Sequence, residues 1–108
     1  MANDEAAISI VTTTVPGQAD AQRLAAAAVR QRLAACVQVE AIASHYVWQG
    51  RQCEDAEWRL ACKTLPAVAP ALRAWLRTQH PYEVPQLLTH DVRAEADYAQ
   101  WVAQQVAG

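Results

Sequence analysis

Residues 80–85 read His80, Pro81, Tyr82, Glu83, Val84, Pro85, which sets an imidazole, a phenol and a carboxylate between two prolines. The prolines fix φ at their own positions and push His80 and Val84 out of the helical region, so a helix arriving here must stop. This set at a forced chain reversal is a concentration of polar chemistry that a mere connector would not need, and it marks a candidate site. The plainer reading has His80 capping the end of a helix while Glu83 satisfies backbone donors at a junction. No Ser/His/Asp or Cys/His arrangement at characteristic spacing accompanies the motif, so the protein is not expected to be an enzyme. The three glycines form no GxxxxGK phosphate loop, and no organic cofactor is expected. His45 and His90 fall on predicted strands and read as surface or interface residues.

The elements that must position this motif follow from the spacing of apolar residues. Ile8, Ile10 and Val11 among three threonines predict a strand over residues 7–14, closed by Val15, Pro16, Gly17. Asp20 suits the first turn of the next segment, and the rows Ala25, Val29, Leu33 and Leu24, Ala28 predict a helix reaching residue 35. A second helix is expected to open at Pro66 and to present Val68, Leu72, Trp75, Leu76 and Gln79 on one face, ending at the motif. Residues 84–89 then read as a strand with Pro85 at its start, and Tyr98, Trp101, Val102 and Val106 mark a C-terminal helix. The order is β, α, β, β, α, β, α. It gives an α+β, ferredoxin-like arrangement: an antiparallel sheet with helices on one face and a long central hairpin.

That hairpin carries a conflict. Val37, Val39 and Ala41 sit at odd positions, whereas Ile42, Tyr46 and Trp48 sit at even ones. The return strand keeps one phase, with Ala56, Trp58, Leu60 and Cys62 opposed to Asp55, Glu57, Arg59 and Lys63. If Trp48 pairs with Arg51 across Gln49 and Gly50, the base of the hairpin has one continuous apolar face, and the tip has its apolar residues on the other. Either a β-bulge near residues 41–43 restores the phase, or the outer half is buried against another subunit. At ~3.3 Å per residue, residues 36–48 span about 40 Å, long beside the ~13 Å radius of gyration of a compact domain this size. Leaving Tyr46 and Trp48 in water forgoes roughly 1.5–3 kcal/mol for each, which favours assembly.

Composition narrows the class. Residues 1–108 read as a single domain with a flexible start over residues 1–6. Hydrophobic residues are 53% and charged residues 19% of the chain, which excludes a disordered protein, and no apolar run approaches the ~20 residues of a membrane span. A net charge of -2, one lysine and scattered arginines argue against nucleic-acid binding, although Arg23, Arg30 and Arg32 share one predicted helix. Cys36, Cys53 and Cys62 match neither a CxxC zinc pair nor a disulfide framework, and suit a reducing compartment. The acidic, polar opening shows no secretory signal, so a cytoplasmic location is expected.

Several separate motifs then become recognisable: residues 33–37, Leu-Ala-Ala-Cys-Val; residues 46–50, Tyr-Val-Trp-Gln-Gly; Lys63 with Thr64; residues 80–85; and Tyr98 with Trp101. Together they resemble the CutA family of divalent-cation tolerance proteins, from the strand near Ile8 to Trp101. The resemblance implies a ferredoxin-like subunit, a homotrimer built through the long hairpins, and an architecture like that of the PII signalling proteins. It also implies binding of copper or another divalent cation, with His80 as the leading ligand and Glu83, or a cysteine from elsewhere in the trimer, as its supplement. Some members with proposed copper ligands carry a cysteine in the first strand and two adjacent histidines before the proline. Here Thr13 stands at the strand position, and Gln79 precedes the single His80. The alternative it implies is a trimeric small-molecule sensor, with an anionic or polar ligand at subunit boundaries near Tyr46, Trp48, Lys63, Tyr82 and Glu83.

Overall fold

The computed structural model describes residues 5–106, which form β1 (Glu5–Val15), α1 (Gln18–Arg30), β2 (Cys36–Trp48), β3 (Arg51–Thr64), α2 (Ala69–Gln79), β4 (Leu88–Glu95) and α3 (Ala96–Gln105). The strands make one antiparallel sheet in the order β2-β3-β1-β4, the ferredoxin-like arrangement that the element order predicts. Central β1 faces Val11, Thr13 and Val15 across to Cys62, Leu60 and Trp58 of β3. Onto this face pack Leu24 and Ala28 of α1 and Leu72 and Leu76 of α2, all buried. Each fully buried leucine contributes roughly 1.5–3 kcal/mol, so this row is the main source of stability. At the end of the sheet remote from the hairpin tip, α3 packs Ala99 and Val102 against Ile8, Val92 and Ala94.

Four boundaries differ from the sequence expectation, each for a local reason. First, β1 starts at Glu5: Glu5 and Ala6 pair with Glu95 and Ala94, which corrects the flexible start for those two residues, while residues 1–4 lie outside the described residues. Second, α1 stops at Arg30 instead of reaching residue 35. Arg32 takes the left-handed conformation (φ 60°), its N–H bonds to Val29 O and that of Leu33 to Ala28 O. This is the Schellman stop, without the glycine that usually announces it. Third, α2 begins at Ala69 with Pro70 in its first turn; a turn precedes it, in which the N–H groups of Val68 and Ala69 both reach Leu65 O at 2.9 Å. Fourth, β4 begins at Leu88 rather than residue 84 and pairs no further along β1 than Thr12, since Pro85 supplies no N–H to a ladder.

The hairpin register is continuous from Cys36↔Lys63 to Trp48↔Arg51, one residue for one, so no bulge interrupts it. Gln49 (φ 50°) and Gly50 (φ 76°) close it in the two-residue turn whose twist suits a hairpin. The phase change in β2 therefore stands, and the outer half carries its aromatic residues on the face away from α1 and α2. Trp48 is 53% and Tyr46 40% exposed in the single chain. The molecule is 54 Å long and only 26 × 21 Å across, with a radius of gyration of 15.0 Å, because the hairpin projects beyond the two-layer body.

Arg32 has a second task that its expected place in a helix hid. Its guanidinium donates to the carbonyls of Gln104, Gln105 and Val106 at 3.0, 3.0 and 3.3 Å, a cation on the negative end of α3. The single residue thus stops one helix and caps another. Arg32→Ala should cost about 1 kcal/mol locally, seen as a several-fold loss of hydrogen-exchange protection at the α3 amides with β1 amides unchanged. Equal protection of α3 in variant and wild type would contradict this role.

Candidate functional site

The segment between α2 and β4 runs beside β1 where β4 pairing ends, and His80 is its anchor. As the C-cap of α2, His80 adopts the extended backbone that Pro81 demands (φ -74°, ψ 137°). The Tyr82 N–H donates to His80 Nδ1 at 3.0 Å, so Nδ1 holds a lone pair and the ring proton sits on Nε2. From there Nε2–H donates to Thr13 Oγ1 at 2.9 Å, and Thr13 is fully buried. Burial lowers the His80 pKa below its ordinary value, with only partial opposition from the Thr14 backbone and the carboxylates of Asp20 and Glu57. His80 is a neutral strut between the end of α2 and β1.

Beyond the strut lies the polar chemistry. The Tyr82 ring sits 5.4 Å from that of His80, and its hydroxyl donates to Glu57 Oε2 at 2.6 Å. Burial, then this hydrogen bond, raises the Tyr82 phenol well above its usual range, so it stays a donor. Two residues along β3, on the same face, Asp55 accepts a hydrogen bond from Tyr46, which pushes that phenol up to about 12. A cleft of about 890 Å³ opens between β2, β3 and the segment after α2, with Ile42, Tyr46, Trp48, Glu57, Tyr82 and Glu83 among its walls. This lies within the usual ~300–1,000 Å³ of small-molecule sites.

Of the residues singled out by sequence, Tyr46, Trp48, Tyr82 and Glu83 thus meet at one cleft. Lys63 does not: it lies six residues from Glu57 along β3, about 20 Å at strand spacing, and bonds to Gln38. His80 stands behind the cleft wall, not in it. Glu57 and Asp55 escaped notice because strand alternation assigns them only to the polar face of β3. Nothing in that pattern says that Tyr82 folds over one of them.

A transition-metal site converges three or four nitrogen or sulfur donors, and the residues of one chain do not fit that need at His80. Both His80 nitrogens are engaged, its neighbour Thr13 offers a hydroxyl, and Glu83 is exposed at the cleft. Among the described residues no group of three His, Cys, Asp or Glu side chains is placed to share an ion. The Cys62 thiol is buried and pushed up to about 12, while Cys36 and Cys53 are half-buried and unlinked.

Comparison with known proteins places this geometry. The family description "CutA1 divalent ion tolerance protein" matches residues 9–105. The chain is 38% identical over 99 residues to human Protein CutA, covering 90% of this chain and 55% of the human protein's length. It is 36% identical over 97 residues to the divalent-cation tolerance protein CutA of Thermus thermophilus, covering 88% of this chain and 94% of that protein. Among solved structures, CutA of Synechococcus elongatus superposes with a TM-score of 0.90 at 36% identity, covering 94% of this chain and 92% of that one. CutA1 of Oryza sativa gives a TM-score of 0.89 at 29% identity, covering 97% and 98%. With nearly its whole length matched in both sequence and fold, the chain belongs to the CutA1 family of divalent ion tolerance proteins.

Proposed function

We propose that this protein acts as a homotrimer, its subunits joined through the β2–β3 hairpins, in the response to divalent cations. The observation that carries the assembly is the unbulged register, which leaves Tyr46, Val47 and Trp48 exposed on a hairpin projecting from the body. A neighbouring copy that covers them recovers roughly 1.5–3 kcal/mol for each large side chain. Copper, or another divalent cation, is then held by donors from more than one copy, since one chain does not supply a set. Binding and assembly, not catalysis, make up this reading, and a cytoplasmic location goes with its free thiols. Among the described residues no helix is long and apolar enough to cross a membrane.

A second reading has its own support: the 890 Å³ cleft suits a small-molecule sensor of the PII-like kind. In that reading assembly brackets the cleft, and no metal is needed.

Three measurements test these readings. Trp48→Glu places a charge on the proposed interface, so sedimentation velocity should show the mass fall to that of one chain; an unchanged mass sinks the hairpin as the joint. In calorimetric titrations of reduced protein with Cu(I), Cu(II) and Zn(II), His80→Ala should bind as wild type does, and metal binding lost in that variant would restore His80 as a ligand. The lowered His80 pKa also fixes a sign. Protons bind the unfolded imidazole more readily, so the stabilisation is full above about pH 6.5 and is lost as pH falls through the folded value. NMR should show the Nε2–H tautomer and a midpoint below 6.5. A midpoint above it would contradict the strut.

A further inference from the structure

A second concavity lies on the sheet face that carries α1 and α2, and none of its walls belongs to the hairpin. It is a groove of about 410 Å³ between α2 and the chain entering β4, lined by Pro70, Arg73, Ala74, Arg77 and Leu87. Arg73 and Arg77 each follow a core leucine, Leu72 and Leu76, so their stripe lies about 100° round α2 from the buried face. Four positions apart, they stand one turn from each other on the same side of the groove. Arg73 is half-buried, and its Nη1 donates to Thr89 Oγ1 at 3.2 Å, which aims the guanidinium along the edge of β4.

The charge here is unbalanced. Arg23, Arg59 and Arg93 each meet a carboxylate, at 3.4, 2.8 and 3.7 Å, and Arg32 meets the end of α3. Arg73 and Arg77 have no such partner among the described residues. Arg30 and Arg51 also lack one, but neither has a second base one turn along the same face. No acid lies on α2, and Asp91, two residues beyond Thr89 on the same face of β4, is already bound by Ser9 Oγ at 2.5 Å. Like charges at this spacing destabilise a helix, and an anion seated between them removes that cost.

We propose that this groove binds a small organic phosphate, with Arg73 and Arg77 gripping the phosphate group and Pro70 and Leu87 meeting its carbon skeleton. Two planar forks one turn apart offer more donors than a single carboxylate accepts, whereas a phosphate monoester presents three terminal oxygens. Ala74, between the two arginines, leaves room for the group, and the volume exceeds what a bare phosphate fills. The site is separate from the cleft at Tyr82, so its test does not decide between the metal and sensor readings.

The test is isothermal titration of the untagged protein with phenyl phosphate and, for the same ring on a carboxylate, benzoate, both at fixed ionic strength. Phenyl phosphate should bind saturably and about tenfold or more tighter than benzoate, and Arg73→Gln and Arg77→Gln should each weaken it about tenfold. Arg77→Lys, which keeps the charge and loses the fork, should fall between Arg77→Gln and wild type. In amide NMR spectra, phenyl phosphate should shift residues 73–77 and 87–89. No binding of phenyl phosphate, benzoate of equal affinity, binding unchanged in both glutamine variants, or shifts confined to residues outside the groove would each overturn the proposal.

Discussion

The one-for-one pairing of β2 with β3 is the constraint on which the rest of the molecule depends. In an antiparallel pair each residue's face is fixed by its partner's, so a sequence whose apolar positions change parity can stay in register only by showing apolar side chains on both faces. The base of the hairpin shows them to α1 and α2, where Leu60 and Cys62 lie in the core. Its tip shows them to the other side, beyond the reach of either helix. A bulge would have resolved the conflict inside one chain at the cost of bending the strand. Its absence leaves the conflict unresolved within one chain, which is the observation behind the proposed assembly.

The same register builds the cleft. β4 pairs with β1 only as far as Thr12, so the hairpin-ward part of β1 meets the irregular segment after α2 instead of a strand. Two prolines keep that segment from completing the ladder, and the His80 strut ties it to Thr13. Tyr82 is thereby carried across to Glu57, one strand further into the sheet. A motif with the composition of a metal site works here as a bracket: it uses both imidazole nitrogens for position and sets Tyr82 against Glu57 at the cleft.

Much of this was legible in the chain. Apolar spacing gave the element order, the parity of residues 36–48 and 51–63 gave the hairpin register, and the prolines gave the stop at His80. What stayed hidden had local or long-range causes. The end of α1 depends on Arg32 in a left-handed conformation, for which residue type gives no signal. Proline at 66 resembles a helix start as well as Pro70 does, and only the turn at Leu65 decides between them. Lys63 joined the candidate site by resemblance, at a boundary between subunits; within one chain it stands at the other end of β3 from Glu57. Glu57 and Asp55 became visible only once the segment carrying Tyr82, 25 residues away from Glu57 in sequence, folded against them.

The central claim is that the unbulged hairpin obliges the chain to assemble. Native mass spectrometry or light scattering on the wild-type protein, purified without a tag at micromolar concentration, tests it most directly. The account predicts a particle of three times the 11.8 kDa chain mass. A stable, soluble species of one chain mass, with Tyr46 and Trp48 left in water, would contradict it.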